Sequence, residues 1–115
     1  MTVTIFHNPR CSTSRTVLAE LQAKGLDIHI VEYLKQPPDR AALVELLGRL
    51  GIGPRGLMRQ KEAIYGELGL DEPGLSDDRL IDAILAHPIL IERPVVITDK
   101  GARICRPVTR LAEIL

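Results

Sequence analysis

A chain of 115 residues and 12.7 kDa has room for one domain. Hydrophobic residues at 45% and charged residues at 26% describe a soluble globular protein and exclude bulk disorder. The 15 basic and 15 acidic residues cancel, and the aromatics are only Phe6, Tyr33 and Tyr65, which excludes a general nucleic-acid binder built on basic surface and base stacking.

No apolar run approaches the ~20 residues that span a bilayer, so no membrane association is expected. The opening MTVTIFHNPRC lacks a basic stretch followed by a long apolar one, so no export signal is expected either. A cytoplasmic location follows as the expectation, with Cys11 and Cys105 as thiols rather than a structural disulfide. Two cysteines and the dispersed His7, His29 and His87 do not make a metal-binding pattern. The cations are biased, with eleven arginines to four lysines. The planar fork of Arg suits oxyanions, although solvated surface would account for many of them.

Taken in chain order, Thr2 to Phe6 is β-branched and predicts a short strand. His7-Asn8-Pro9-Arg10 is a turn, with Pro9 holding its predecessor extended. Val17, Leu18 and Leu21 predict a helix from about Ser12 to Lys24, closed by Gly25. Asp27 to Leu34 reads as a second strand. The resulting β-α-β unit implies parallel strands. Asp39 is placed to cap a helix carrying Leu43, Val44, Leu46, Leu47 and Leu50, with Gly48, Gly51, Gly53 and Pro54 ending it. Residues 55–71 read as short helical pieces broken at Gly56, Gly66 and Gly69. Ser76 is an N-cap candidate before Asp77 and Asp78, and its helix carries Leu80, Ile81, Ile84 and Leu85 to near His87-Pro88. Val95 to Thr98 predicts a buried strand, Asp99-Lys100-Gly101 a hairpin turn, and Ala102 to Cys105 a returning strand. Pro107 opens a last amphipathic helix with Val108, Leu111, Ile114 and Leu115.

The fold class expected from this order is α/β: thioredoxin-like β-α-β and β-β-α units with an inserted helical lobe. The chain reads as a single domain over 1–115, with its thioredoxin-like core at about 1–35 and 93–115 and the helical insertion at about 36–92.

Cys11 stands between a strand and a helix. Free N–H groups and the dipole at a helix N-terminus favour a thiolate and bind anions. A small buried hydrophobe is the plainer alternative. The following residues are Ser12, Thr13 and Ser14, so the second cysteine of a C-x-x-C dithiol is replaced by Ser14, and an external thiol would have to complete any redox cycle. The phosphatase loop C-x-x-x-x-x-R is absent, since Val17 stands where its Arg would. Any oxyanion clamp must come from distant arginines.

Residues 7–15, H-N-P-R-C-S-T-S-R, resemble the active-site segment of the glutaredoxin-dependent arsenate reductase (ArsC) family. The resemblance continues through Y-L-K-Q-P-P at 33–38, G-L-M-R-Q at 56–60, D-R-L-I-D-A-I-L-A-H-P-I-L-I-E-R-P at 78–94 and R-I-C-R-P at 103–107. It covers essentially the whole chain in the same order. It implies a nucleophilic cysteine at Cys11 and three oxyanion-handling arginines at Arg59, Arg93 and Arg106. It places His7 on a histidine that tunes the cysteine and Ser14 on a hydroxyl residue near the thiolate. Pro94 falls where the thioredoxin-like fold usually carries a cis proline. Phe6 stands where a tyrosine is common, and many members continue beyond the last helix, whereas this sequence stops at Leu115.

Without the joint match, the three arginines would read as surface ion-pair residues, His7 as a turn hydrogen-bonder and Ser14 as a first-turn helix residue. Cys105 reads as packing. The resemblance further implies that the Cys11 thiolate attacks arsenate to form an arsenate ester. Glutathione then attacks and reduces the adduct to a glutathionylated arsenic(III) species, and glutaredoxin removes the glutathione as arsenite leaves. Arsenate, glutathione and glutaredoxin are thus the expected partners, with no bound cofactor, no metal and a monomeric chain. Two alternatives stay open on the sequence. One is a regulator of the same fold that binds RNA polymerase and senses oxidants through C-x-x-C, a motif absent here. The other is an orphan glutathione-dependent thiol reductase.

Overall fold

A computed structural model describes residues 2–115. Contacts divide the chain into two compact units, one of residues 1–36 and 93–115 and one of residues 37–92.

The first unit is built on a four-stranded sheet of order β2-β1-β3-β4, with β1 at Thr2–Phe6, β2 at Asp27–Val31, β3 at Val95–Thr98 and β4 at Gly101–Ile104. β1 and β2 run parallel, Thr2 opposite Asp27 and Phe6 opposite Val31. They are joined by helix α1, Ser12–Ala23, as a parallel pair requires. Gly25, at φ +68°, supplies the left-handed residue that ends α1. β3 lies antiparallel to β1, Phe6 opposite Val95, and β4 folds back on β3 with Thr98 opposite Gly101. The hairpin therefore turns on Asp99 and Lys100 alone, and Gly101 is already in the ladder.

Val3 and Ile5 of β1, Val17 and Leu21 of α1 and Val96 of β3 form the core with Cys105, Leu111 and Ile114. Burying an aliphatic side chain of this size contributes about 1.5–3 kcal/mol. Leu21, Val17 and Val3 have no exposed surface at all. Two sequence expectations are corrected here. β2 stops at Val31 rather than Leu34, because the carbonyl of Glu32 accepts from the N–H groups of Lys35 and Gln36 and turns the chain. The last helix is a 3-10 helix over Val108–Glu113, not an α-helix, and Pro107 stands as its cap.

The second unit holds α2 (Arg40–Leu50), α3 (Pro54–Leu57), α4 (Ala63–Glu67), α5 (Asp77–Ala86) and a 3-10 turn at Pro88–Leu90. Asp39 accepts from the N–H of Ala42 at 2.8 Å, and Ser76 from the N–H of Arg79 at 3.2 Å, so both predicted caps form. α5 packs its Leu80, Ile81 and Ile84 against α2 and α3. Gly51, at φ +67°, ends α2, and Gly69, at φ +66°, follows α4. Gly48 lies inside α2, and Gly56 and Gly66 lie inside α3 and α4. These three glycines therefore do not break the helices as the sequence suggested; none has a positive φ, and Gly48, inside the longest of the three helices, costs about 1 kcal/mol relative to Ala. Among the described residues, no helix is long and apolar enough to cross a membrane, and no three His, Cys, Asp or Glu side chains cluster as a metal ion would need.

Candidate active site

Cys11 is the N-cap of α1, with extended backbone at φ −92° and ψ 122°. The turn before it is short, and the N–H of Cys11 bonds the carbonyl of Asn8 at 3.0 Å. The thiol is only partly exposed. Burial alone would push its pKa up. The opposing effects are larger together: the backbone N–H of Ser14, the Arg93 side chain and the N–H of Thr13 all favour the thiolate and hold the pKa below that of a free thiol.

Two of the three singled-out arginines meet at this sulfur. Arg106, just beyond β4, places Nη1 3.6 Å from Cys11 Sγ. The same Nη1 donates to the carbonyl of Arg93 at 3.4 Å, linking the two ends of the β3–β4 hairpin. Arg93 is 9% exposed and stands two residues before β3, which begins at Val95. The bonds Arg93–Pro94 and Arg106–Pro107 are both cis. The sheet order explains the convergence. β3 neighbours β1, and α1 begins at the end of β1, so the residues before β3 and after β4 come to the start of α1.

His7 and Ser14 also come together. Ser14 Oγ lies 2.6 Å from His7 Nδ1 and accepts from the N–H of Asn8 at 3.1 Å. Both residues are buried. Burial holds the His7 pKa below its ordinary value, with Glu32 opposing and Arg15 reinforcing that shift. Burial thus favours the neutral ring, and in that form the Ser14 hydroxyl can donate to Nδ1. The pair reaches Cys11 through the backbone of Ser14.

Arg59 belongs to the helical unit. A pair of backbone bonds fixes its position: its own N–H donates to the carbonyl of Leu90 at 2.6 Å, and the N–H of Glu92 donates to the carbonyl of Leu57 at 2.8 Å. Its guanidinium is half-buried between two carboxylates, with Nη1 donating to Glu92 at 3.2 Å and Nε 3.2 Å from Glu62. Glu92 is 33 residues away and its pairing with Arg59 has no local signal in the sequence, whereas Glu62 stands only three residues on. Asn8 was likewise passed over. Its signal was available, since Asn in a turn commonly bonds the backbone two residues on. Cys105 lies in the hydrophobic core, where burial pushes its pKa up to about 11. It is thus an inert thiol near neutral pH.

A lowered-pKa thiol at a helix N-terminus, faced by two guanidinium groups, can bind a tetrahedral oxyanion and attack its centre. Comparison with known proteins agrees with that chemistry. Residues 6–114 match the ArsC family. An arsenate reductase of Rhizobium meliloti (strain 1021) is 48% identical over 115 residues, which is all of this chain and 82% of the relative. An arsenate reductase of Escherichia coli (strain K12) is 49% identical over 113 residues, covering 98% of this chain and 80% of the relative. The solved structure of an arsenate reductase from Vibrio cholerae superposes with a TM-score of 0.95 at 44% identity, covering 100% of this chain and 98% of that one. With that breadth of match in sequence and fold, the chain belongs to the ArsC family.

Proposed function

We propose that this chain is an arsenate reductase in which the Cys11 thiolate is the nucleophile. The observation that carries the reading is the Arg106 guanidinium 3.6 Å from Cys11 Sγ at the N-terminus of α1. The names of the relatives support it.

Arsenate is a tetrahedral dianion near neutral pH, so an approaching thiolate meets like charge. Arg93 and Arg106 neutralise that charge and stabilise what develops on the oxygens. Arg59 is the third oxyanion residue that the family resemblance implies, and we assign it that role. Cys11 sulfur bonds to arsenic and the arsenate hydroxyl leaves as water, taking one proton from solvent. The product is a sulfur–arsenic(V) ester. His7 and Ser14 hold the first turn of α1, whose N–H groups favour the thiolate.

Reduction of arsenic(V) to arsenic(III) takes two electrons. Cys105 is sealed in the core and does not supply a second thiol. The electrons therefore come from outside, from glutathione and then glutaredoxin, which together end as a disulfide; water then displaces sulfur from arsenic(III), so that arsenite leaves and Cys11 returns as a thiolate. The residues call for no bound cofactor or metal. We take the chain as one arsenate reductase-like domain, with the helical segment as its insertion, working as a monomer in the cytoplasm.

The test is arsenite formation by the purified protein with glutathione and glutaredoxin both present, then with each withheld. Arsenite should form at full rate only with both. Equal turnover without glutathione or without glutaredoxin would replace this donor scheme with another.

A further inference from the structure

Asn8 is only 5% exposed, and the chemistry above gives it no role. A buried amide must have hydrogen-bond partners to be tolerated. Three of Asn8's polar groups are bonded within the next six residues. Its Oδ1 accepts from the N–H of Arg10 at 3.0 Å. Its carbonyl accepts from the N–H of Cys11 at 3.0 Å. Its own N–H donates to Ser14 Oγ at 3.1 Å. One residue thus ties together the residue before the nucleophile, the nucleophile itself and the first turn of α1. Arg15 braces the same turn by donating Nη1 to the carbonyl of Pro9 at 3.0 Å.

We propose that Asn8 is a positioning residue for the reaction: its side-chain bond to Arg10 fixes the turn that holds the Cys11 sulfur against the N–H groups of Thr13 and Ser14. This rests on the reading of Cys11 as nucleophile. The groups that face the sulfur are Arg93 and Arg106 from the ends of β3 and β4, and the N–H groups of Thr13 and Ser14 from α1. His7 acts on it through Ser14. Asn8 carries no charge, so replacing it by another neutral residue leaves every one of these charges in place. A shift in the Cys11 titration then reports a change of geometry. A role confined to fold stability would lower the melting temperature and leave that titration where it was.

The test is the pH dependence of iodoacetamide alkylation at Cys11, read by mass spectrometry, in the native chain, Asn8→Ala and Asn8→Ser. Ala removes the Oδ1 acceptor. Ser keeps a side-chain oxygen that can accept from the N–H two residues on, though more weakly. Asn8→Ala should move the Cys11 titration upward by about one pH unit, which is about a tenfold loss of thiolate well below the pKa. Asn8→Ser should recover part of that shift. The kcat for arsenate reduction should fall in the same order, with KM changing less. An Asn8→Ala titration that overlays the native one overturns the proposal. So does a shift in Ala that Ser does not reduce at all. If Asn8→Ala does not fold, Asn8→Ser decides alone, since its weaker acceptor must still move the titration upward, and an unshifted curve overturns the proposal. Alkylation does not depend on arsenate, so failure here leaves the arsenate reductase reading standing, and failure of that reading leaves this result intact.

Discussion

Arg106→Ala removes the guanidinium that lies 3.6 Å from Cys11 Sγ. At that distance a charge pair interacts by about 1.2 kcal/mol at the dielectric of water and about 4.6 kcal/mol at an effective value of 20. Cys11 is partly exposed, so the lower end applies, and about 1.4 kcal/mol is one pH unit of thiol titration. The Cys11 titration should therefore rise by about one unit in Arg106→Ala. Turnover should fall further, because the same fork also stabilises the oxyanion. A charge-assisted hydrogen bond contributes about 1.5–3 kcal/mol, and each 1.4 kcal/mol is tenfold in rate, so kcat/KM should drop by about ten- to a hundredfold. Arg106→Lys separates the two effects. A lysine keeps the charge and should restore most of the thiol titration. It loses the planar fork and should restore turnover poorly. The assay pairs alkylation against pH with arsenite production on the same three proteins. Native kcat/KM and an unmoved titration in Arg106→Ala would refute the assignment of Arg106 to the anion and the thiolate together.

Three further outcomes follow from the same geometry. Cys11 should be alkylated with a midpoint below the ~8.5 of a free thiol, losing reactivity as the pH falls through that midpoint, while Cys105 should stay unmodified until about pH 11 or until the protein unfolds; equal labelling of both at pH 7 would contradict the burial of Cys105. Cys105→Ser should retain most arsenate reductase activity, and the oxidised native protein should show no Cys11–Cys105 disulfide; a disulfide found there by mass spectrometry would point to an internal dithiol cycle. Asp39→Ala should lower stability by about 1 kcal/mol in urea denaturation, since it removes the acceptor for the Ala42 N–H, and should leave the Cys11 titration unmoved; an unchanged denaturation midpoint would remove that cap from the account of α2.

What could be read from the sequence was local chemistry with a short reach. Asp39 and Ser76 cap their helices because the bond spans only three residues, and Gly25 and Gly51 take the left-handed conformation that ends a helix. Cys11 was legible as a helix N-cap because a β-branched strand and a Pro-containing turn precede it. Arg93 and Arg106 were singled out by the family resemblance, and their places at the two ends of the β3–β4 hairpin bring both to Cys11. The last segment shows how a period can mislead. Val108, Leu111 and Ile114 recur every three residues, which fits a 3-10 helix better than an α-helix, but amphipathic spacing alone does not separate the two over so short a run. Gly48 continues α2 because the buried face of Leu43, Leu46 and Leu47 outweighs the low helix propensity of glycine. The pairing of Arg59 with Glu92 depends on where folded backbone places side chains, and no spacing rule carries that information, whereas the three-residue step from Arg59 to Glu62 and the turn bond of Asn8 to Arg10 lie within local reach.

Arsenite released by the purified chain, in the presence of glutathione and glutaredoxin, compared between the native protein and Cys11→Ser, bears most directly on the central claim. The native protein should turn over arsenate many times per molecule. Cys11→Ser should release none above the background of the thiols alone, because an alcohol in that position is not ionised near neutral pH. Arsenite production at the native rate by Cys11→Ser would contradict the account, since it would place the chemistry on some other group than the sulfur that Arg106 faces.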